Sequence, residues 1–463
     1  MNVNTPPKDN QPDAPLNKFL PLFAPHEEPN QHRVKDGVVA RRRPSPLPVV
    51  QNLRAAVREW REAFHPGASE TTRHLLHHWF AQAHRVPLAD GGEAEFRYYF
   101  CQREAIETLI YLREVRGVET TSQLWTEFGG ARERQLADGI PPEEDAWSRT
   151  LCKLATGAGK TKVMSLAVVW SYFHALREEN SPLAKHFVII APNIIVFERL
   201  REDFRPDGGA DIFDRDPLIP PEWRGDWNMS VVLQDEAGGA ATGGTLYLTN
   251  IHRLYKERGA GDENGDDSSA PWAGPKVNRN KALDTGAALR ERILQHKRIL
   301  ILNDEAHHVW DSESAWFEAI GFFHKTLPER GGKLVGQIDF TATPRDRLGQ
   351  PLKHIICDTP LGEAVDAGIV KTPVLGTAAD GMEPAPDDDA GMKYDRHLRL
   401  GYGRWQASFA EWQKSGKKPL MFVMCENTGD ADQITRRLQS DPVFKDLNGK
   451  TFNLHTNLKG KIK

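Results

Sequence analysis

Leu151-Cys152-Lys153-Leu154-Ala155-Thr156-Gly157-Ala158-Gly159-Lys160-Thr161-Lys162 is the stretch whose reading decides the fold. A short apolar run, a turn containing two glycines and a helical pattern beginning near Lys160 read as strand, loop and helix. In such a loop the glycines let backbone N–H groups curl around phosphate oxygens, and the helix N-terminus adds positive potential. Lys160 then reaches the outer phosphates, and the Thr161 hydroxyl ligates Mg²⁺. The candidate phosphate-binding residues are therefore Thr156, Gly157, Ala158, Gly159, Lys160 and Thr161. One departure from the strict pattern is Leu154, where glycine is usual.

Working outward, further β-type runs alternate with helical patterns. HFVIIA (186–191) is followed by a helix from Val196, RILILND (298–304) by a helix near Ser314, and VGQIDFTAT (335–343) closes the series. This alternation predicts an α/β fold, a parallel sheet with helices on both faces, over residues 96–370. A polar stretch at about 257–276 reads as an insertion. After residue 370 the pattern restarts with KTPVLGTAAD (371–380), KKPLMFVMCEN (417–427), a helix through Leu438 and TFNLHT (451–456), which predicts a truncated second α/β domain over 371–463.

Residues 1–48 are proline-rich and polar, and read as a mobile arm. The basic run His32 to Arg43, with Arg41, Arg42 and Arg43, can touch DNA phosphates, but a run of this kind in a flexible tail is more often solvated. Residues 49–95 read as a helical segment. Val57, Trp60 and Phe64 follow Leu53 at helical spacing, and Leu75, Leu76, Trp79 and Phe80 repeat the pattern, so these aromatics are expected in the core.

At 463 residues the chain is long enough for two domains, and 39% apolar with 27% charged residues is the balance of a soluble globular protein. A formal charge of −4 excludes a globally basic nucleic-acid binder but not a local basic groove. Cys101, Cys152, Cys357 and Cys425 form no CxxC pair, and there is neither a signal-peptide core nor a membrane-length apolar stretch. A cytoplasmic protein is expected.

The apolar run Ile299–Leu302 ends in Asn303-Asp304-Glu305-Ala306-His307-His308. Carboxylates at the carboxyl end of a parallel strand face the ligand crevice, so Asp304 is read as the Mg²⁺ partner beside Thr161, and Glu305 as the group that activates the attacking water. With Lys160, these two make up the candidate catalytic set. Thr341-Ala342-Thr343-Pro344 follows the next strand, and Tyr99-Phe100-Cys101-Gln102-Arg103-Glu104-Ala105 lies upstream of the loop.

In this order the motifs resemble those of superfamily two helicases of the DEAD/DEAH-box kind. FCQREAI (100–106), ATGAGKT (155–161), NDEAHH (303–308) and EAVDAGIVKTPVL (363–375) look most like the Res subunit of Type III restriction enzymes. The resemblance implies a RecA-like P-loop domain followed by a partial second one, with ATP and Mg²⁺ as cofactors. It further implies a motor that hydrolyses ATP to move on DNA, as part of a restriction endonuclease with a modification methyltransferase partner. By the same resemblance Gln102 reads adenine, and His307, Thr341 and Thr343 couple hydrolysis to movement. Pro192 and Asn193, together with Thr249 and Asn250, contact the DNA strand. The arginine-finger motif of the second domain, of QxxGRxxR form, does not occur before Lys463, so weak activity of the chain alone is expected. The competing readings are a stand-alone DNA or RNA helicase or remodeller, a small-molecule kinase on the same phosphate loop, and a non-hydrolysing nucleotide-binding protein. The kinase predicts neither the Thr341-Ala342-Thr343 element nor a second α/β domain.

Overall fold

A computed structural model describes residues 20–87, 91–236, 243–254, 285–306, 315–345, 349–372, 383–413, 416 and 418–453. The chain divides into a larger unit over residues 20–259 and 282–371, and a second unit described at 372, 383–413, 416 and 418–453.

In the larger unit the chain runs through β1 (His32–Val34), β2 (Gly37–Val39), α1 (Pro48–Glu62), α2 (Glu70–Ala81), β3 (His84–Pro87), β4 (Glu93–Phe96) and α3 (Phe100–Ile110). After α4 (Thr121–Phe128) and α5 (Ala131–Leu136) come β5 (Arg149–Leu154), α6 (Lys160–Arg177), β6 (His186–Ala191), α7 (Ile194–Phe204) and α8 (Ile212–Arg215). The remainder is β7 (Met229–Leu233), β8 (Gly244–Asn250), α9 (Thr285–Ile293), β9 (Arg298–Asp304), α10 (Ala315–Glu329), β10 (Lys333–Thr341), β11 (Ile355–Thr359) and α11 (Leu361–Asp366).

Among the described residues, seven strands form one sheet in the order β11-β5-β10-β9-β6-β8-β7, and every pairing in it is parallel. Alternation along β9 shows why helices cover both faces. Leu300 and Leu302 join the cluster containing Val163 and Met164 of α6, while Ile299 and Ile301 join Trp316 and Phe323 of α10. A half-buried strand would expose one of these sets; a strand buried on both sides buries the two together. The carboxyl ends of β5 and β9 flank that of β10, so the loop after β5 and the acidic end of β9 share one edge of the sheet. This is a RecA-like α/β arrangement.

The sequence reading differs from the structure at several points. Residues 20–47, expected within a mobile arm, pack on the larger unit. The backbone N–H of Leu22 donates to the Asp366 carbonyl at 2.7 Å, and that of Phe100 to the Pro25 carbonyl at 2.7 Å. Arg42, from the run read as solvated or DNA-facing, is buried between Glu104 of α3 at 2.5 Å and Glu363 of α11 at 2.9 Å. Arg33 pairs with Asp366 at 2.8 Å, and the Ser45 hydroxyl donates to Asp358 at 3.0 Å. The cause is charge complementarity over long sequence separation. Burial lowers the proton affinity of Arg42, but Glu104 and Glu363 outweigh it and hold the guanidinium above its ordinary value.

Trp60 lies in the core, but Phe64 is 85% exposed because α1 ends at Glu62 and Phe64 sits at φ 63°. The insertion at 257–276 and His307 lie outside the described residues.

The second unit contains α12 (Ala390–Lys393), α13 (Asp395–Trp412) and α14 (Thr428–Ser440) around Leu398, Tyr402, Ile434, Leu438 and Phe444. The expected strand at 417–427 has no ladder partner among the described residues. It keeps the two-residue alternation of a strand: Met421, Val423 and Cys425 pack on the helices, while Leu420, Phe422 and Met424 are 92%, 83% and 85% exposed. The end of the expected strand 451–456 lies outside the described residues. No helix among the described residues is long and apolar enough to cross a membrane.

Candidate nucleotide site and its surroundings

The loop between β5 and α6 turns on two glycines in the left-handed region, Gly157 at φ 87° and Gly159 at φ 82°. The Gln102 amide packs directly on Gly159: a Cβ there would stand 2.3 Å from its Nε2, so the amide would have to shift. Gly159 is also the N-cap of α6, and no side chain caps that helix. An eighteen-residue helix therefore presents its first N–H groups and the positive end of its dipole to the loop without an internal acceptor from a cap.

Lys160, the first residue of α6, is 7% exposed and bonds Oε1 of Glu305 through Nζ at 2.6 Å. Glu305 stands just past the end of β9 at φ 50°, a left-handed conformation that non-glycine residues rarely adopt. Its backbone N–H donates to Oδ1 of Asp304 at 3.0 Å. Asp304 is buried, and Arg199 of α7 donates to its other carboxylate oxygen. Burial raises the Asp304 carboxyl above its ordinary value, and Arg199 and Lys160 only partly offset this. The lysine, the two acids and the loop thus converge from β5, α6 and β9 on one edge of the sheet.

These residues fit a nucleoside triphosphate with Mg²⁺. The loop turns on glycines in the left-handed region, the helix end is uncapped, and the lysine is held by a carboxylate whose place a phosphate oxygen can take. Thr161 is partly buried on the first turn of α6, and Thr156 and Gly157 are exposed at the loop tip. Asp304 and the Thr161 hydroxyl would hold the metal, which usually keeps several waters and takes only one or two carboxylates.

Gln102 lies on α3, beneath the loop. Its Nε2 donates to the Ala158 carbonyl at 3.0 Å, and its Oε1 accepts from the Tyr99 backbone N–H at 2.9 Å, so the amide ties the loop to the start of α3. Thr341 closes β10, and its hydroxyl oxygen accepts from the Thr343 N–H at 3.1 Å. Asn193 caps α7, its side chain accepting from the Val196 N–H at 3.0 Å, with Pro192 partly buried before it. Thr249 and Asn250 end β8 and are buried. The Thr249 hydroxyl donates to the Asn250 carbonyl at 3.0 Å, and the Asn250 N–H donates to Gln234 at 2.9 Å.

Arg199 was not singled out in the sequence, because an arginine on an amphipathic helix carries no local mark of a partner 105 residues away. Asn303 and Asp339 were also passed over. Here a signal existed, since each is a polar residue inside an otherwise apolar strand.

A family model described as Type III restriction enzyme, res subunit, matches residues 95–346, more than half of the 463-residue chain. No curated protein matches the chain.

Proposed function

The chain belongs to the family of the Type III restriction enzyme res subunit, and from that membership we propose that it is the ATP-driven translocase or helicase part of a Type III-like restriction endonuclease. The family carries a helicase-like ATPase of the superfamily two type. The observation that supports the finer reading best is the Lys160–Glu305 contact at 2.6 Å, with Asp304 adjacent and Thr341 on the strand between. A phosphate loop alone serves many reactions, whereas the strand order places a loop lysine, two acids and a threonine turn on one edge.

In this reading Mg²⁺, when bound, would supply positive charge that offsets the negative charge on the outer phosphates. Lys160 would exchange Glu305 for phosphate oxygens, and Glu305 would take a proton from the attacking water at Oε1 or Oε2. Asp304 and Thr161 would hold the metal, Gln102 would hold the loop or read adenine, and His307, Thr341 and Thr343 would relay the state of the site. Pro192 and Asn193 are proposed to meet the DNA backbone together with Thr249 and Asn250. A methyltransferase partner and a cytoplasmic location belong to the same proposal.

Triple-helix displacement tests it. ATP should release a third strand from duplex DNA as the motor passes, and Lys160→Ala should abolish release. Displacement without ATP, or equal displacement by Lys160→Ala, would remove the translocase assignment.

A further inference from the structure

The face of the sheet opposite α6 carries a buried polar cluster that reaches from the amino end of β5, at Trp147 and Arg149, to Asn303 near the carboxyl end of β9. Asp339 of β10 is fully buried, and Nδ2 of Asn303 on β9 donates to its Oδ1 at 2.6 Å. Gln337 donates its Nε2 to both Asp339 oxygens, at 2.9 and 2.8 Å, and accepts from the Trp147 indole N–H at 2.8 Å. His354 Nε2 stands 3.9 Å from the same carboxylate. Arg149 stacks on Trp147 with its guanidinium 4.0 Å from the ring centroid.

A carboxylate inside a sheet is expensive to desolvate, and apolar residues of similar volume would pack this layer at lower cost. Its placement suggests a reason beyond packing. Asp339 is paired in register with Asn303, and Phe340 with Asp304. The hydrogen bond therefore joins the residue immediately before Asp304 to the residue two before Thr341. Parallel ladder bonds fix only the backbone; this side-chain bond adds a second constraint at the point where β9 gives way to the left-handed turn at Glu305.

We propose that Asn303 and Asp339 are a buried pair of positioning residues that makes the acid-bearing end of β9 and the threonine-bearing end of β10 move as one element. The proposal rests on the motor reading, because it assigns the pair to the linkage between the nucleotide and DNA sites. Both residues lie on the face of the sheet opposite α6 and Lys160. Breaking the pair should thus spare nucleotide affinity and remove its dependence on DNA.

The test measures the affinity of a fluorescent ATP analogue with Mg²⁺, with and without saturating duplex DNA, together with phosphate release under both conditions. The parent chain should bind the analogue about tenfold differently in the two conditions, a ratio that reports the coupling between sites. Asp339→Asn and Asn303→Ala should each bring the ratio to within about twofold of one and cut DNA-stimulated release about tenfold or more, with DNA-free affinity unchanged. Asn303→Asp combined with Asp339→Asn returns one carboxylate and one amide to the pair, and should restore the ratio. If Asp339→Asn does not fold, Asn303→Ala, which leaves Asp339 both bonds from Gln337, asks the same question. Full coupling in a single variant would overturn the pair's role, as would a parallel loss of DNA-free affinity that the exchange leaves unrepaired. A parent chain without any coupling would instead overturn the motor reading, and the inference with it.

Discussion

The Gln102 side chain donates to the Ala158 carbonyl at 3.0 Å and accepts from the Tyr99 N–H at 2.9 Å, so one amide joins the start of α3 to the phosphate loop. An amide used in this way acts on the phosphates through loop shape, whatever base is attached. Gln102→Ala should then weaken ATP and GTP equally, by about fivefold to tenfold, since of its two lost bonds the one to the loop, roughly 1 kcal/mol, bears on the phosphates. Competition titration against a labelled nucleotide measures both. A loss confined to adenine nucleotides would assign the side chain to the base edge instead.

Lys160→Ala removes the one cation that the loop carries into the site and leaves Glu305 without it. Affinity for ATP should drop by about two orders of magnitude, as for the loss of a charge-assisted contact to phosphate. Equilibrium binding decides the matter: affinity equal to that of the parent would withdraw the loop assignment.

Arg42→Ala should destabilise the larger unit by about 3 kcal/mol, because Glu104 and Glu363 lose their shared buried partner, although Arg54 still holds Glu104 at 3.1 Å. Urea denaturation reports this. The salt dependence of DNA binding should be unchanged, since a cation already neutralised inside the protein releases no counterion from DNA. A shallower salt slope would return the basic run to the DNA interface.

Glu107 of α3 supplies a pH dependence. Burial pushes its carboxyl up, but His65 at 3.5 Å, Arg103 at 2.8 Å and Arg61 at 2.6 Å outweigh burial and hold it down at about 2, against an ordinary 4.5. A depressed folded value stabilises the fold above the unfolded value, and this contribution is lost as pH falls from about 4.5 towards 2. Urea midpoints at stepped pH should show the parent losing on the order of a few kcal/mol across that window and Glu107→Gln losing less. Identical pH slopes would contradict the account of the Glu107 cluster.

How far the sequence carried the fold follows from where each determinant lies. The loop at Lys160 and the run into Asp304 could be read because strand, turn and helix lie within a few residues of one another. The strands β7, β8 and β11 are not legible as strands, since runs of five to seven residues interrupted by Ser230 in β7, Thr245 and Thr249 in β8, and Cys357 and Asp358 in β11 carry little periodic signal. The docking of residues 20–47 was not legible either: Arg42 meets Glu363 across 321 positions, and no local pattern encodes that meeting. At the site, Lys160 and Glu305 lie in local motifs that a sequence shows, whereas the arginine on Asp304 and the amide on Asp339 depend on helix placement and strand register.

Steady-state phosphate release, with and without duplex DNA, for the parent chain and for Glu305→Gln tests the central claim most directly. The account predicts a slow parent rate, in keeping with the weak activity expected of the chain alone, that DNA raises about tenfold, while Glu305→Gln binds ATP as the parent does and releases no phosphate above background. A parent rate indifferent to DNA, or a Glu305→Gln chain that turns over like the parent, would contradict it.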